Sequence, residues 1–189
     1  MQPIERPPRL QSLAQAAVLG PAGLDDWADI RHLHRLAAEK LVGAFLEDSE
    51  AYALRVHVTA QDYAEDLHGQ NLTIARLDTF LVGAAGWQPA EDNGKSARLT
   101  SVCVNPLFTR IGLGRRLVDA IEHQARTAGF HALSVRSPLA SIGLFEHLGY
   151  ETASFGHQSL LGGTIGDAGS FRSMRTTASM PIAFMRKAI

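Results

Sequence analysis

The strongest constraint on the fold of this 189-residue chain is a strand, a glycine-containing loop, a helix and a second strand that follow one another in its second half. Residues 97–104 and 131–136 both have strand patterns. Residues 113–128 between them repeat apolar side chains every three or four positions, which predicts an amphipathic helix, and Gly129 stands where a left-handed helix end belongs. We therefore expect a βαβ crossover with two parallel strands.

One face of this helix is predicted to pack on the sheet. Glu122 is expected to project away from that face. The residues expected on the face, of which only Gln124 is polar, are Leu113, Leu117, Ala120, Ile121, Gln124 and Ala128.

The segments before and after this unit extend the predicted sheet. Strand patterns at 72–76 and 80–87, with short connections up to residue 97, favour an antiparallel meander. A helix is expected to start at Asp25 and Asp26, with broken helical segments continuing to residue 67. The remaining predicted elements are a short strand at 16–20, a helix at 139–148, and strands at 151–157 and 181–187. This order predicts an α/β fold with a mixed, mostly antiparallel central sheet of about seven strands and helices on both faces.

No repeat or low-complexity segment divides the chain. We expect residues 15–189 to form a single domain, preceded by a loosely ordered, proline-containing extension at residues 1–14. Residues 158–179, which are rich in Gly, Ser and Thr, have two interpretations. They form a flexible flap near a binding site, which we favour, or they extend the flanking strands as a hairpin.

Composition and charge exclude several classes of protein. The single cysteine, Cys103, excludes an intramolecular disulfide and a multi-cysteine metal site, and no metal is expected. Basic runs do not exceed two residues and no apolar stretch approaches a membrane span, so neither nucleic acid nor a membrane is an expected partner. The interrupted apolar pattern of the N-terminus favours a cytoplasmic protein over a secreted one.

The formal net charge of −1 conceals two unlike halves. Residues 1–95 carry 8 basic and 14 acidic side chains, whereas residues 96–189 carry 10 basic and 5 acidic ones. An uneven distribution arises by chance in many chains, but a basic half also suits an anionic ligand and an acidic half a cationic one.

The loop between strand and helix has the clearest chemistry. Gly112 and Gly114 allow a ligand to approach the backbone, and the exposed N–H groups of a first helical turn attract phosphate. Positive charge is added there by Arg110, Arg115 and Arg116. The alternative interpretation is a tight strand–helix turn with surface arginines.

Two other phosphate-binding motifs do not fit. A Walker A loop needs Gly-Lys-Ser/Thr, which does not occur in the chain. A dinucleotide fingerprint needs a third glycine where Leu117 stands and an acid at the end of the next strand, where Arg136 stands.

The segment resembles the GNAT superfamily of acyl-CoA-dependent N-acetyltransferases, over roughly residues 16–189 and most specifically over 97–150. The V-x-V-x-P pattern that ends the family's fourth strand is matched by Val102, Val104 and Pro106. Its Q/R-x-x-G-x-G/A loop is matched by residues 109–114, with Thr109 in place of Gln or Arg.

A second family motif consists of an aromatic residue, three further residues and Gly-Phe. It is matched by Phe145, Gly149 and Tyr150. The resemblance implies a GNAT-like fold and acetyl transfer from acetyl-CoA to a small-molecule or peptide amine. A homodimer is compatible with the sequence, which does not determine the oligomeric state.

The resemblance also implies the roles of individual residues. The CoA pyrophosphate would be held by backbone N–H groups of Arg110, Ile111, Gly112, Leu113, Gly114 and Arg115. The strand around Val102, Cys103 and Val104 would diverge from its parallel neighbour and pair with the pantetheine arm. Its N–H groups would polarise the thioester carbonyl for direct attack by the amine, which needs a base or a water chain.

Phe145 is the main departure from the family. Many members have tyrosine there, whose hydroxyl protonates the leaving thiolate, and phenylalanine cannot donate a proton. Because a thiol has a pKa near 8.5, the thiolate can leave without full proton transfer, so we expect Phe145 to modify the rate. Tyr150 is expected in the core rather than as a replacement acid.

No catalytic base is assigned from the sequence. Glu91 and Asp92 lie on a loop that could border the acceptor site, but solvated loop acids are the better interpretation.

Cys103 is expected to be a small buried side chain on the strand face opposite Val102. Trp87 either walls the acceptor pocket or packs in the core. The two histidines His32 and His34 do not share a helix face, so they are not expected to bind a metal together.

Three functions remain at this point. The favoured function is an N-acetyltransferase. Phe145 and the missing base favour, as an alternative, a non-catalytic acyl-CoA-binding or regulatory module. A dinucleotide-binding domain is the least favoured.

Overall fold

A computed structural model describes residues 8–90, 94–161 and 177–189. The strands of these residues are β1 (Val18–Pro21), β2 (Asn71–Leu77), β3 (Phe80–Pro89), β4 (Ser96–Val104), β5 (Ala132–Pro138), β6 (Glu151–Leu161) and β7 (Thr177–Ala188). The helices are α1 (Pro8–Ala16), α2 (Trp27–Ala37), α3 (Asp48–Thr59), α4 (Gln61–His68), α5 (Leu113–Thr127) and α6 (Ile142–His147). Short 3-10 turns occupy Leu24–Asp26, Gly43–Phe45, Pro106–Phe108 and Leu139–Ser141, and a π-helical segment occupies Ala38–Val42.

The strands form one sheet in the order β1-β2-β3-β4-β5-β7-β6. Every neighbouring pair is antiparallel except β4 and β5, which are joined through α5 and lie parallel. The predicted fold class is confirmed: a seven-stranded, mostly antiparallel sheet with helices, containing the βαβ unit.

The parallel pairing of β4 and β5 ends halfway along both strands. Residues Ser96 to Leu99 pair with Ala132 to Val135, and the pairing goes no further. Beyond this point β4 pairs only with β3, and the end of β5 pairs only with β7. The sheet therefore opens between β4 and β5 towards their C-terminal ends, which is the divergence that the family resemblance implies.

A β-bulge in β4 lies where the strands part. Two residues of β4, Ser101 and Val102, stand opposite one residue of β3, and Ser101 has a φ of 54°. The Gln70 side-chain oxygen accepts hydrogen bonds from the hydroxyls of Thr100 at 2.7 Å and Ser101 at 2.6 Å. A Cβ at Gly86 would lie 3.1 Å from that same oxygen, so a glycine there leaves room for the contact. Because a bulge bends the strand that carries it, these contacts help to turn β4 away from β5.

Helices α5 and α6 pack on one face of the sheet, and helices α2, α3 and α4 pack on the other. Gly83 of β3 allows α5 to pack closely on the sheet, because a Cβ at this position would lie 2.8 Å from a methyl group of Leu117. The buried residues of α5 are Leu113, Leu117, Val118, Ile121, Glu122 and Ala125.

The predicted face of α5 is correct at its centre, but it leaves out the buried Val118, Glu122 and Ala125 and includes one exposed residue. Ala128 is exposed. Glu122, expected in solvent, is 5% exposed, and both of its carboxylate oxygens accept hydrogen bonds from the Lys187 ammonium at 2.8 Å. A cation supplied by the distant strand β7 makes this burial tolerable, and nothing in the spacing of the helix reveals it.

The structure also bears on two further expectations, one for the N-terminal residues and one for the segment 158–179. Residues 8–14, expected to be loosely ordered, lie within α1, and Ala14 is buried in the main core. The ends of the segment 158–179 extend β6 and β7 as a hairpin, whose pairing reaches Leu161 and Thr177. Residues 162–176 lie outside the described residues.

Leu117→Ala tests the packing of α5. Leu117 is fully buried, so we expect the free energy of unfolding to fall by about 3 kcal/mol. Leu24→Ala, at a side chain that is 89% exposed, is the matched control and should change it by under about 0.5 kcal/mol. Equal losses in urea denaturation would contradict the assignment of this face.

Candidate acyl-CoA site

A side-chain hydrogen bond and two left-handed residues give the loop between β4 and α5 an open conformation. The Asn105 side chain accepts a hydrogen bond from the backbone N–H of Leu107 at 3.0 Å and starts the 3-10 turn. The chain then passes through two left-handed residues, Arg110 with a φ of 62° and Gly112 with a φ of 93°. A Cβ placed on Gly112 would have no atom within 4 Å, so this turn faces open space.

The N-terminus of α5 is suited to an anion. No side chain caps it and no acidic residue lies in its first turn. The positive end of the helix dipole and its N–H groups therefore point into the open loop without a protein carboxylate to compensate them.

The three arginines of the loop do not act together. Arg110 and Arg115 are exposed, and Arg115 lies 3.6 Å from Asp119 in a solvent-exposed ion pair. Arg116 instead donates hydrogen bonds to the backbone carbonyls of Ala14 and Ala17. The expectation that Arg116 adds charge to the loop is corrected: it fastens the N-terminal segment to α5.

The end of β4 presents different residues to its two faces. Val102 and Val104 pack with the cluster that contains α5 and α6. Cys103 packs with the cluster formed by α2 and α4 on the other face, as expected. Burial raises the pKa of the Cys103 thiol, so it remains protonated and is a poor nucleophile.

Phe145 and Tyr150 lie together in the core. Their ring centroids are 5.5 Å apart, and each side chain is 2% exposed. Burial raises the pKa of the Tyr150 hydroxyl, with Glu122 contributing, and the Lys187 ammonium lies 5.5 Å from its ring centroid. Tyr150 therefore has the expected core position, next to the partly buried ion pair of Lys187 and Glu122.

Trp87 is half-buried and packs against the main core on the α5 side of the sheet. Its indole N–H donates to the Gln124 side chain at 3.1 Å, and Gln124 donates to the Thr73 hydroxyl at 2.8 Å. Its ring also packs edge-on against Phe130, with centroids 5.5 Å apart. The single polar residue on the predicted face of α5 thus bridges two strands. Glu91 and Asp92 lie outside the described residues.

The structure brings together a polar cluster that the sequence analysis missed. His34 of α2 is 4% exposed, and its Nδ1 is hydrogen-bonded to the hydroxyl of Tyr63 on α4. The ring of His57 on α3 packs edge-on against Tyr63, with centroids 5.1 Å apart. The spacing of His34 from Ile30 and Ala37 on one apolar stripe was an available signal, whereas Tyr63 carried none.

Burial leaves this cluster uncharged at neutral pH. It lowers the pKa of His34 to about 4 and raises the pKa of Tyr63. It also lowers the pKa of His57, against a smaller opposing effect of Asp66. His34 Nε2 and His57 Nδ1 are buried without a hydrogen-bond partner.

An open cavity of about 450 Å³ lies beside the end of β4. It is bordered by the first turns of α2, the turn between β2 and β3, and the 3-10 turn after β4. The residues that line it include the acidic Asp29 and Asp78 and the aromatic Phe80 and Phe108, and the Asp29 carboxylate lies 3.8 Å from the Arg76 guanidinium.

Across residues 8–90, 94–161 and 177–189, no group of three or more His, Cys, Asp or Glu side chains is placed to hold a metal ion. No helix in the described part of the chain has the length and apolarity needed to span a membrane.

The sheet opens beside its parallel pair of strands, and an uncapped helix N-terminus lies at the opening. The sequence pattern of the Acetyltransferase (GNAT) family matches residues 27–150. The chain therefore belongs to the GNAT family, as its motifs indicate.

Similar proteins agree with this assignment. A Bacillus subtilis (strain 168) protein described as an acetyltransferase is 33% identical over 61 residues, which is 32% of this chain and 42% of that protein, so the match spans less than half of the relative. A GCN5-related N-acetyltransferase structure from Rhodopseudomonas palustris has a TM-score of 0.73 at 20% identity, covering 92% of this chain and 96% of that one. An N-acetyltransferase from Thermoplasma acidophilum in complex with coenzyme A has a TM-score of 0.63 at 12% identity, covering 92% and 99%.

The buried His34 predicts a loss of stability in acid. Its pKa is about 4 in the folded protein and near 6.5 when exposed, so the unfolded chain takes up the proton first as the pH falls below 6.5. Between pH 7.5 and pH 5 this should lower the free energy of unfolding by about 2 kcal/mol.

His34→Gln should remove that part of the pH dependence. The measurement is urea denaturation of both proteins at the two pH values. His123→Gln, at an exposed histidine of α5, should keep the full wild-type dependence. If the free energy of unfolding of His34→Gln depends on pH as in the wild type, groups other than His34 cause the loss of stability in acid.

Proposed function

We propose that this protein transfers an acetyl group from acetyl-CoA to a primary amine by direct attack of the amine on the thioester. The observation that carries the proposal is the opening between β4 and β5 beside the uncapped N-terminus of α5. This arrangement offers one continuous path, from an anion site at the loop to an unpaired strand edge.

The anion site suits the pyrophosphate of CoA. The proposed contacts are the backbone N–H groups of Arg110, Ile111, Gly112, Leu113, Gly114 and Arg115. The left-handed turn at Gly112 directs this part of the chain around open space, and the exposed side chains of Arg110 and Arg115 add charge without a buried partner. The solved relative that contains coenzyme A has the same fold, which supports CoA as the ligand.

The strand edge suits the pantetheine arm. Beyond Leu99 the backbone of β4 faces no partner strand on its β5 side. An extended amide chain such as pantetheine can pair with such an edge as an added strand does. In this proposal Val102, Cys103 and Val104 lie along the arm, and their N–H groups stabilise the oxyanion that forms when the thioester carbonyl is attacked.

The acceptor is proposed as a cationic amine, either a small molecule or the amine of a peptide. The acidic half of the chain supports this class, because it supplies Asp29 and Asp78 to the cavity beside the end of β4. A cytoplasmic location and activity without nucleic acid, membrane or metal remain parts of the proposal, as does a homodimer.

Gly112→Ala tests the CoA loop, with Gly129→Ala as its matched control. The two glycines lie at opposite ends of α5 with φ values of 93° and 91°, and a Cβ at either would meet no atom within 4 Å. Both variants should lose about 1 kcal/mol of stability from backbone strain. Only Gly112→Ala should weaken CoA binding, by tenfold or more in calorimetry. Equal affinities of the two variants for CoA would reject the loop as the pyrophosphate site.

The second candidate function, suggested by Phe145, is a non-catalytic acyl-CoA-binding module. A turnover assay distinguishes it from an enzyme. We expect release of CoA thiol from acetyl-CoA with at least one member of an amine panel of polyamines, amino acids, aminoglycosides and peptides. Binding of CoA without thiol release above background for any amine would favour the binding module, and failure to bind CoA would reject both.

A further inference from the structure

The polar cluster of His34, Tyr63 and His57 lies on the sheet face that an acceptor would approach. Cys103 of β4 packs with the α2 and α4 cluster, whereas Val102 and Val104 face α5 and α6. A thioester lying along the free edge of β4 would therefore have the loop and α5 on one side and the helices α2, α3 and α4 on the other.

Tyr63 spans the two halves of that helical layer. One apolar cluster joins α2 and α4 to β2 and β3, and the other joins α3 to β6 and β7. Tyr63 packs against both clusters, so its ring lies between the helices that cover the sheet on either side of its opening. Cys103 packs against the cluster of α2, α4, β2 and β3, as Tyr63 does, so both side chains lie on this face of the sheet.

The cluster has unused capacity for hydrogen bonding. The Tyr63 hydroxyl is hydrogen-bonded to His34 Nδ1. His34 Nε2, in contrast, has no hydrogen-bond partner, although His34 is only 4% exposed. A buried polar atom without a partner costs about 1–3 kcal/mol, and such a cost is commonly retained where the group has a function. No carboxylate or ammonium is hydrogen-bonded to His34, Tyr63 or His57 among the described residues.

We propose that Tyr63 and His34 form the proton relay of the acetyl transfer, with Tyr63 as the catalytic residue that touches the amine and His34 as the positioning residue that acts through it. This inference rests on the proposed function. The relay supplies the general base, which the sequence did not reveal. It also supplies the general acid, a role that the phenyl ring of Phe145 cannot fill.

The relay balances the protons of the reaction. The cationic amine first releases one proton to solvent, so that it attacks in its neutral form. When its nitrogen then bonds to the carbonyl carbon, the C=O electron pair moves to oxygen and the nitrogen must lose a second proton. Tyr63 accepts that proton while its own proton passes to His34 Nδ1. When the C–S bond breaks, its electron pair stays on sulfur, and the proton returns from His34 through Tyr63 to the thiolate. The products are an amide and the CoA thiol, and the relay is unchanged.

The environment of His34 favours the second half of this sequence. An imidazolium whose pKa is about 4 is a strong acid towards a thiolate, whose thiol has a pKa near 8.5. The groups around His34 and Tyr63 that titrate are His57, Cys103 and Asp66, of which burial keeps His57 and Cys103 neutral. Because the same pKa makes His34 a weak base, the proton must pass along the relay in concert with formation of the C–N bond, and the imidazolium then delivers it readily.

The test compares Tyr63→Phe and His34→Gln with Tyr52→Phe and His123→Gln, which alter an exposed tyrosine of α3 and an exposed histidine of α5. With an amine that the wild type acetylates, we expect kcat to fall about 100-fold in each relay variant. The double variant should lose no more than either single variant, because the two residues act as one unit. The affinity for CoA should stay within twofold in calorimetry, and the controls should keep wild-type rates.

The solvent isotope effect separates a relay from a structural role. The wild-type kcat should fall at least twofold in D₂O, and Tyr63→Phe should lose that effect. A merely structural role predicts lower stability with an unchanged isotope effect. If His34→Gln does not fold, Tyr63→Phe decides alone, and a kcat within threefold of wild type in folded Tyr63→Phe overturns the relay while leaving the proposed function in place.

If the wild type acetylates no amine in the panel, the proposed function fails and a binding measurement decides on the cluster. Acetyl-CoA, added to the wild type in excess over the affinity measured by calorimetry, should shift the NMR signals of the His34 ring and the Tyr63 ring. Unchanged signals would place the cluster away from the thioester and overturn the inference.

Discussion

The contact between Gln70 and the bulge of β4 controls the part of the structure on which the site depends. Gln70 precedes β2, and its side-chain oxygen accepts from two adjacent hydroxyls of β4. The bulge that these bonds stabilise begins two residues after Leu99, the last residue of β4 that pairs with β5. A continuous parallel pair would have satisfied every N–H and C=O of β4 and left no edge for a ligand. Two hydrogen bonds from side-chain hydroxyls to one amide oxygen thus help to hold β4 bent where that pairing has ended.

The elements that are local in sequence were predictable, because their signals repeat along a few residues. The βαβ unit, the meander and the glycine loop follow from spacing, and even the family could be identified from the pattern around Gly112 and Gly149. The bounds of α5 differ from the expected helix by one residue. The opening of the sheet was available only through the resemblance, since the contact of Gln70 with Thr100 and Ser101 joins residues 30 or more positions apart.

The errors at individual side chains have the same origin. Glu122 is buried because Lys187 reaches it from β7, Arg116 is removed from the loop by two carbonyls near residue 15, and Gln124 is accounted for by Trp87 and Thr73. Each of these polar groups has a partner from a distant part of the chain. A helical wheel can show which residues point inwards, but it cannot show which buried charges find a partner.

The departure at Phe145 is best understood together with the cluster around Tyr63. Phe145 lies in the α5 and α6 cluster, where a hydroxyl would be added among apolar side chains and beside the buried Tyr150. The opposite face of the opening already contains a phenol bonded to a neutral imidazole, in a layer made by α2, α3 and α4. A proton that starts on an amine and ends on sulfur has to move only a short distance if one group serves both atoms. An uncharged relay can do so without burying an ion between catalytic cycles, whereas a carboxylate in the same place would need a cation to compensate it. The loss of a hydroxyl from α6 is therefore compatible with catalysis, because the acceptor side of the sheet carries one of its own.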